Sequence, residues 1–426
     1  MERQTISRKS DNVCYCANDC IAIVEKVTTN EIGAAFAQTR EYIKEEYKAH
    51  CLSAILVLIV NISANLCPAS QDAYCVGRRF PSERTTYRDT VTGYEISMLT
   101  TSPAKDNKIY QTHPNWTANG RHIVFTSDRT GTNQYFALSV DTGVITQLTN
   151  DKGPGNAFLS RTRGNMFYIS NHKIWELDIG AICNLKENKP DNRFRRKIAD
   201  LPEKLTVSGT LSVDSNGKDI YIGVQYGEDS WGLLALNADT GQFRKIIDLG
   251  FRVGHCQAHP SIPGLIMYCW ETGGDSQQRM WIVRADGSDN GPFYKETYDE
   301  WVTHEVWWGA DKTLFTIWPK NERMLKKPHG IAYITLQNRS LNILSQKKYW
   351  HVGGSPDGRW AAGDNFDGEI YLINADTGKA QLLTQGHRPR GATVHPHPSF
   401  SPDGSSILFC SEKNGNWDLF LVQSKQ

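Results

Sequence analysis

The 426-residue sequence lacks an excess of charge of either sign. It has 47 Lys and Arg against 46 Asp and Glu, so no overall electrostatic field draws the protein towards nucleic acid or an anionic membrane surface. We therefore expect no nucleic-acid partner. Any anionic ligand has to be recognised by local groups.

The sequence also has few long hydrophobic runs. Residues 52–66, LSAILVLIVNISANL, form the one long apolar stretch, which is short for a membrane span and interrupted by Asn61 and Asn65. It resembles the core of a signal peptide, and the small residues in CPASQDA offer a cleavage site between Ala69 and Ala73. A signal anchor and a buried strand are the alternatives.

This segment sets the predicted domain organisation. We predict an extension at 1–51, a signal peptide or anchor-like segment at 52–75, and one folded catalytic domain at 76–426. Because about fifty residues of mixed charge precede a segment that normally begins a chain, we expect the natural start to lie downstream of Met1. The signal-like residues 52–71 predict a periplasmic or secreted protein whose mature domain has no stable membrane insertion.

The cysteines show neither a disulfide framework nor a complete set of metal ligands. Cys14, Cys16 and Cys20 lack the second half that a zinc site requires. Cys256 and Cys269 fit adjacent strands, either as a bonded pair or as two free thiols.

The sequence does contain a repeat of about forty residues from residue 107 onwards. Each unit alternates short apolar strands with DG, NG or TG turns, as in HPNWTANGRHIVFTSDRTGTNQYFALSVDTGVITQLT, and the 35 Gly and 12 Trp fit this pattern. Seven units can be counted, with degenerate copies near 157, 255 and 304. The repeat predicts an all-β fold, a seven-bladed β-propeller.

The two ends of the repeat region indicate how the ring closes. The last unit ends after its third strand at Leu421 and Val422, whereas residues 89–101, DTVTGYEISMLTT, have the TG turn and fourth strand of a unit whose beginning is missing. An N-terminal strand that completes the last blade removes two exposed sheet edges. Eight blades, or six with an irregular insertion, are the alternatives.

Half of the twelve histidines stand at one recurring place, the start of a short apolar run that opens a repeat. They are His113, His255, His304, His351, His395 and His397. Because the first strand of each propeller blade lines the axial channel, these imidazoles should converge. Gathered imidazoles offer a metal neutral nitrogen ligands, and they offer chemistry a base that titrates near neutral pH.

A metal site is the sharper hypothesis. His395 and His397 lie two apart in VHPHP, and on an extended strand the alternation of side chains places both on one face. With His304 at the start of the fifth blade, three imidazoles would leave coordination positions open, as a catalytic metal needs. A metal-free channel mouth is the alternative.

Three motifs resemble the oligogalacturonate lyases: GHCQ with MYCWE and RMWIVRADGS at 254–288, THEVWW at 303–308, and VHPHPSFSPDGSSILF at 394–409. The resemblance spans nearly all of the predicted propeller. It implies a seven-bladed propeller that cleaves uronate oligosaccharides by β-elimination with a divalent ion of the manganese type.

In this resemblance the ion is held by three histidines and a glutamine. The histidines match His304, His395 and His397, but the glutamine position, three residues before His395, is Ala392. Substitutes from the preceding loop are Gln385 and His387, and water is the third possibility.

The resemblance also implies a histidine base, for which His255 is the best match and His259 the competitor. The C5 proton of a uronate is weakly acidic until its carboxylate is neutralised, which a metal does as a Lewis acid. A neutral histidine then takes the proton and the oxygen on C4 departs.

Substrate-binding candidates surround these residues. Arg388 and Arg390 precede the histidine pair, and a guanidinium fork suits a uronate carboxylate, although a solvated basic loop is the alternative. His351 and His113 are expected at the channel mouth, in substrate contact or structural hydrogen bonds. Three tryptophans are candidates for stacking on sugar rings: Trp301, Trp307 and Trp308.

Two other functional classes remain open. A glycoside hydrolase needs paired carboxylates, and Glu305, Asp364 and Asp367 are candidates without a recognisable pairing motif. A non-catalytic carbohydrate-binding propeller is the second, since a fold does not fix a function. The sequence identifies neither the uronate polymer nor the oligomeric state.

Overall fold

The computed structural model describes residues 76–185, 192–272, 275–297 and 299–424. The predicted extension at 1–51 and the signal peptide or anchor-like segment at 52–75 lie outside these residues, so the domain boundaries and the localisation stay predictions. Within the described ranges, no helix is both long enough and apolar enough to span a bilayer.

The strands are as follows. Three precede the first complete unit: β1 (Arg79–Phe80), β2 (Thr85–Arg88) and β3 (Glu95–Met98). The first blade contains β4 (Asp106–Lys108), β5 (His122–Ser127), β6 (Gln134–Ser139) and β7 (Ile145–Gln147). The second contains β8 (Gly155–Leu159), β9 (Asn165–Ser170), β10 (Lys173–Asp178) and β11 (Arg195–Asp200). The third contains β12 (Thr206–Val213), β13 (Asp219–Gly227), β14 (Ser230–Asn237) and β15 (Phe243–Leu249).

The fourth blade contains β16 (Val253–Ala258), β17 (Leu265–Trp270), β18 (Met280–Arg284) and β19 (Gly291–Pro292). The fifth contains β20 (Val302–Trp308), β21 (Lys312–Ile317), β22 (Gly330–Thr335) and β23 (Asn342–Ser345). The sixth contains β24 (Val352–Gly354), β25 (Trp360–Asp364), β26 (Ile370–Asn374) and β27 (Ala380–Thr384). The seventh contains β28 (Ser399–Phe400), β29 (Ser406–Ser411) and β30 (Asp418–Gln423). Two short helices, α1 (Ile179–Cys183) and α2 (Glu322–Leu325), and a 3₁₀ turn at Asn192–Phe194 lie in connections.

The seven sheets confirm the predicted seven-bladed β-propeller. The first strand of each blade lies at one edge of its sheet, and such strands contact each other between neighbouring blades, as β12 contacts β16 and β24 contacts β28. These inner strands therefore surround a common axis.

The predicted ring closure is also confirmed. Strand β3 pairs antiparallel with β30, with Ile96 opposite Val422 and Met98 opposite Phe420. Ile96, Phe409 and Phe420 are fully buried in one apolar cluster with side chains of the sixth blade. Burial of one such side chain contributes about 1.5–3 kcal/mol, so the closing strand adds packing as well as hydrogen bonds. Two strands were not predicted: β2 extends this sheet outwards, and β1 pairs with β7.

The TG turns pack blade against blade. Gly241 (φ 72°) and Gly378 (φ 66°) have left-handed backbones. A Cβ on Gly241 would lie 2.4 Å from the Ile198 carbonyl oxygen, and a Cβ on Gly378 would lie 2.5 Å from the Leu344 carbonyl oxygen. Only glycine permits this approach of neighbouring blades.

The described cysteines are free thiols. Cys256 on β16 and Cys269 on β17 do lie on adjacent strands of one blade, buried and unbonded. Of the two alternatives for this pair, the structure has two free thiols.

Candidate active site

A recurring break in strand pairing positions side chains near the axis. The inner strands β8, β12, β16 and β20 each shift register against the next strand, and residues within these breaks have left-handed backbones: Asn156, Gly209, His255 and His304. A β-bulge redirects a side chain, and a non-glycine residue adopts this conformation at a cost of about 1–2 kcal/mol. His397, just before β28, has φ 50° as well.

His255 is paired with a buried carboxylate from the neighbouring blade. Its Nδ1 lies 3.0 Å from Oε1 of Glu305, whose other oxygen accepts a hydrogen bond of 2.8 Å from Nε of Arg279. Burial alone would raise the pKa of Glu305, but Arg279 and His255 outweigh burial and hold that pKa well below its usual range. The ionised Glu305 therefore accepts from Nδ1–H of His255, which leaves Nε2 with its lone pair.

Arg279 was given no role from the sequence, although it lies within the RMWIVRADGS motif. It is 1% exposed, and its Nη2 lies 3.7 Å from Oε2 of Glu271 as well as 3.4 Å from Nδ1 of His255. Because Nδ1–H of His255 donates to Glu305, the Arg279–His255 approach is a contact between two donors. Arg279 thus compensates two carboxylates in a buried ion-pair network.

One group in the described residues brings three ligand atoms within 4.8 Å of one another: His255, Cys269 and Glu271. Burial raises the pKa of the Cys269 thiol well above its usual range, so the thiol stays protonated, and the Arg279 guanidinium already faces Glu271. A protonated thiol and a nearby cation both oppose metal binding. This group is not the predicted metal site.

The structure brings the predicted metal histidines together with a fourth imidazole. The ring centroid of His351 lies 4.3 Å from that of His304, 5.3 Å from His395 and 3.8 Å from His397, and the centroids of His395 and His397 are 6.1 Å apart. We call these four residues the histidine cluster. No three of their ligand nitrogens all lie within 4.8 Å of one another, so a shared ion requires the rings to rotate inwards.

The chemical state of the histidine cluster fits a divalent metal. Burial lowers the pKa of each of the four imidazoles, aided by neighbouring positive groups, so all are neutral near pH 7. Nδ1 of His304 and of His395 is buried with no hydrogen-bond partner among the described residues. Nδ1 of His397 donates to the His395 carbonyl oxygen, at 2.8 Å, and leaves Nε2 available. Neutral imidazoles with unpartnered nitrogens are what a metal ion needs.

The strand argument for His395 and His397 is wrong. Residues 392–398 form no regular strand, and β28 begins only at Ser399. The two rings approach because His397 has a left-handed backbone and because its backbone N–H donates to Asp364, at 3.0 Å.

The two expected substitutes for the missing glutamine lie elsewhere. His387 is fully buried between the hydroxyls of Thr384 and Ser411, at 2.8 and 3.0 Å. The backbone N–H of Gln385 donates to Asp89 at the edge of a separate acidic cleft. Neither side chain is part of the histidine cluster.

Of the two predicted arginines, one lies beside the histidine cluster. Arg388 packs over the ring of Phe366, at 5.3 Å, and that ring in turn lies 5.4 Å from His395. Arg390 is exposed, and it forms no hydrogen bond or ion pair within the described ranges.

The remaining predicted histidines have structural partners. Nδ1 of His259 accepts backbone N–H groups of Ser261 and Ile262, at 3.2 and 2.9 Å, which favours His255 as the base. His113 is buried, and its Nε2 donates to the Leu211 carbonyl oxygen at 2.9 Å. His351 is 3% exposed, which leaves little of its ring for the predicted contact with substrate.

Several site residues were missed from the sequence. Tyr110 lies between His255 and His397, with ring centroids 5.4 and 5.1 Å away. Trp350 and Phe366, 4.8 Å apart, form with Trp318 an aromatic wall beside His304 and His395. Trp350 could have been found from the sequence, because it directly precedes the candidate His351 in YWH at 349–351.

The predicted sugar-stacking tryptophans are mostly structural. Trp308 is buried and donates from Nε1 to the Trp360 carbonyl oxygen, at 2.9 Å. Trp307 packs on His259 and Phe293. Only Trp301 lies next to the aromatic wall, 5.7 Å from Trp350.

Comparison with known proteins gives a consistent result. Residues 74–426 match the family model described as oligogalacturonate lyase. The chain is 23% identical over 395 residues to an oligogalacturonide lyase of Pectobacterium atrosepticum, covering 82% of this chain and 97% of the relative. It is 24% identical over 391 residues to an oligogalacturonate lyase of Dickeya dadantii, with the same coverage.

A similar solved structure supports the fold. It is described as an oligogalacturonate lyase in complex with manganese, and it superposes with a TM-score of 0.72 at 22% identity, covering 82% of this chain and 97% of that one. Because the family model spans the whole propeller, the chain belongs to the oligogalacturonate lyase family.

Proposed function

We propose that this chain is a metal-dependent lyase that cleaves 4-linked uronate oligosaccharides, such as oligogalacturonate, by β-elimination. Family membership supports the reaction class. The observation that carries the proposal is the hydrogen bond between His255 and Glu305, which prepares Nε2 of His255 as a base next to the histidine cluster.

In the proposed reaction, Nε2 of His255 takes the proton from C5 of the uronate. The electron pair of that C–H bond forms the C4–C5 double bond, and the C4–O bond to the neighbouring sugar breaks with its electron pair on the leaving oxygen. The leaving oxygen takes up one proton and His255 releases the one it removed from C5, so the base returns to its neutral form. Glu305 holds the imidazole in the required tautomer and stabilises the imidazolium that forms. Arg279 keeps Glu305 ionised. No water is consumed.

His304, His395 and His397 are the residues that would hold the divalent ion, with manganese as the expected metal. When bound, the ion supplies Lewis-acid neutralisation of the uronate carboxylate, which acidifies the C5 proton. The buried ring of His304 and the half-buried rings of His395 and His397 provide the nitrogen donors.

Tyr110 is placed to serve the leaving group. Burial raises the pKa of its hydroxyl far above its usual range, so the phenol is protonated at all relevant pH values. Its ring lies between the base and the histidine cluster, from where we propose that it donates a hydrogen bond to the oxygen that leaves C4.

The aromatic wall and Arg388 form the proposed sugar-binding surface. Phe366 is 38% exposed and Arg388 lies over it, so an apolar ring face and a guanidinium are offered side by side. This combination suits a sugar ring that carries a carboxylate. We keep Arg390 as a weaker candidate because the structure gives it no partner near the site.

We further propose that the enzyme works in the periplasm or outside the cell. The support is the signal-like composition of residues 52–71. N-terminal sequencing of the mature protein tests this, and a mature chain that still contains this segment would contradict it.

Two rival functions are less well supported. The candidate hydrolase carboxylates Glu305 and Asp364 are both buried and bound to imidazoles, whereas a hydrolase needs two carboxyl groups that face the scissile bond. A binding module would have no need for the buried dyad of His255 and Glu305.

The direct test incubates the protein with oligogalacturonates, with and without a divalent metal, and follows the absorbance of the unsaturated product. We expect a metal-dependent rise in absorbance. New reducing ends without the chromophore would show hydrolysis. If neither new reducing ends nor the chromophore appears, a binding module is the remaining function.

A further inference from the structure

His351 occupies the centre of the histidine cluster. Its ring contacts those of His304, His395 and His397, although it belongs to the segment before β24, between the blades that contribute the others. A side chain in this position either shares the function of the cluster or blocks it.

The partner of His351 decides between these possibilities. Its Nδ1 lies 3.1 and 2.9 Å from the two oxygens of Asp364, a carboxylate with no exposed surface. Nδ1–H therefore donates to Asp364, and the lone pair is on Nε2. A carboxylate that orients an imidazole in this way is the usual support of a metal-bound histidine.

Asp364 also connects two segments of the histidine cluster. Besides the imidazole, it accepts the backbone N–H of His351 at 2.7 Å and the backbone N–H of His397 at 3.0 Å. One carboxylate thereby sets the positions of two imidazole-bearing segments from the sixth and seventh blades.

We infer that Nε2 of His351 is a fourth metal ligand. It would take the role that the family resemblance gives to a glutamine, which this chain lacks. The inference rests on the metal dependence proposed above. Ala392 carries no donor atom, and Gln385 and His387 lie outside the histidine cluster. The site of this chain then has four imidazole nitrogens and no amide oxygen.

An all-nitrogen site has a different metal preference. Imidazole favours ions such as Co²⁺, Ni²⁺ and Zn²⁺, whereas oxygen donors suit Mn²⁺. We expect the ratio of Co²⁺ to Mn²⁺ affinity to fall when His351 is replaced by glutamine, because the substitution exchanges a nitrogen for an amide oxygen.

The test is calorimetric titration of the metal-free, full-length chain with Co²⁺ and Mn²⁺. We expect H351Q and D364N to weaken Co²⁺ binding by roughly 10–100-fold, H304A to weaken it at least as much, and H329Q to leave it unchanged, because His329 lies outside the histidine cluster, where its Nδ1 contacts the Lys327 carbonyl oxygen. Wild-type affinity in H351Q beside a loss in H304A would overturn the role of His351 and leave the proposed function intact. Failure of the wild-type chain to bind either ion would overturn both.

Pulsed EPR of the Mn²⁺-loaded wild-type chain gives a readout that no folding defect of a variant can affect. Coupling to four imidazole nitrogens is expected. Coupling to three would exclude His351 from the metal.

Discussion

Nδ1 of His255 and Oε1 of Glu305 lie 3.0 Å apart. The Glu305 carboxylate is fully buried, and its other oxygen accepts a hydrogen bond from Arg279. These residues belong to the fourth and fifth blades, so the propeller assembles the dyad from neighbouring inner strands. A base whose tautomer is fixed by an ionised carboxylate is the central feature of the proposed site.

Replacement of His255 should remove the base and leave the metal site intact. We expect H255A to lower kcat by roughly 10²–10⁴-fold, the usual contribution of general base catalysis, with metal affinity unchanged in calorimetry. The matched control is H259Q, since the contacts of Nδ1 of His259 are to the adjacent residues Ser261 and Ile262. An inactive H259Q beside an active H255A would reverse the assignment.

Replacement of Glu305 should affect both chemistry and stability. E305Q keeps the shape but removes the charge that holds the imidazole, so kcat should fall at least tenfold while KM stays nearly constant. Because Arg279 loses a buried partner, the free energy of unfolding should fall by about 3–5 kcal/mol. Steady-state kinetics and urea unfolding measure the two effects, and wild-type kcat in a folded E305Q would rule out a positioning role for Glu305.

The aromatic wall should act in substrate binding. F366A removes an exposed ring beside His395, and we expect KM for oligogalacturonate to rise about tenfold, equivalent to about 1.4 kcal/mol, with kcat changed less than twofold. V91A, at another exposed apolar side chain that is not part of the aromatic wall, is the control. Equal KM values in F366A and the wild type would remove Phe366 from the substrate site.

The stability of the fold should depend on buried neutral histidines. Burial lowers the pKa of His387 to about 3, below the value of about 6.5 in an unfolded chain. Between these values the unfolded chain binds the extra proton, so the free energy of unfolding falls as the pH decreases from 6.5, by about 1.4 kcal/mol per pH unit for this residue.

Urea unfolding between pH 7 and pH 4.5 tests this histidine directly. The free energy of unfolding of H387Q should fall less steeply with decreasing pH than that of the wild type, by about 1.4 kcal/mol per pH unit. This difference in slope does not depend on the stability of the variant at pH 7. H329Q, at a half-buried histidine of another blade, is the matched control. Parallel pH profiles for H387Q and the wild type would show that His387 does not titrate with unfolding.

The fold could be predicted because its determinants are local and repeated. The spacing of DG and TG turns indicates four short strands per unit, and glycine at positions such as 241 and 378 is required by the approach of the neighbouring blade. Closure by β3 could be predicted because the last unit lacks a fourth strand. The added strands β1 and β2 have no such repeat and were missed.

The candidate site was only partly predictable. Histidines at equivalent repeat positions were expected to meet, and His304, His351, His395 and His397 do. The left-handed backbones of His304 and His397 occur at histidines, which lack the glycine signal of this conformation. The pairing of Arg279 with Glu305 depends on tertiary contacts between blades, which residue spacing does not contain.

The mass balance of the reaction tests the central claim most directly. Purified trigalacturonate is incubated with the metal-loaded enzyme, and both products are weighed by mass spectrometry. If His255 removes the C5 proton in a β-elimination, the two product masses sum to the mass of the substrate, and no label enters from ¹⁸O-water during cleavage. Products that together weigh one water more than the substrate, with ¹⁸O at the cleaved bond, would contradict the account.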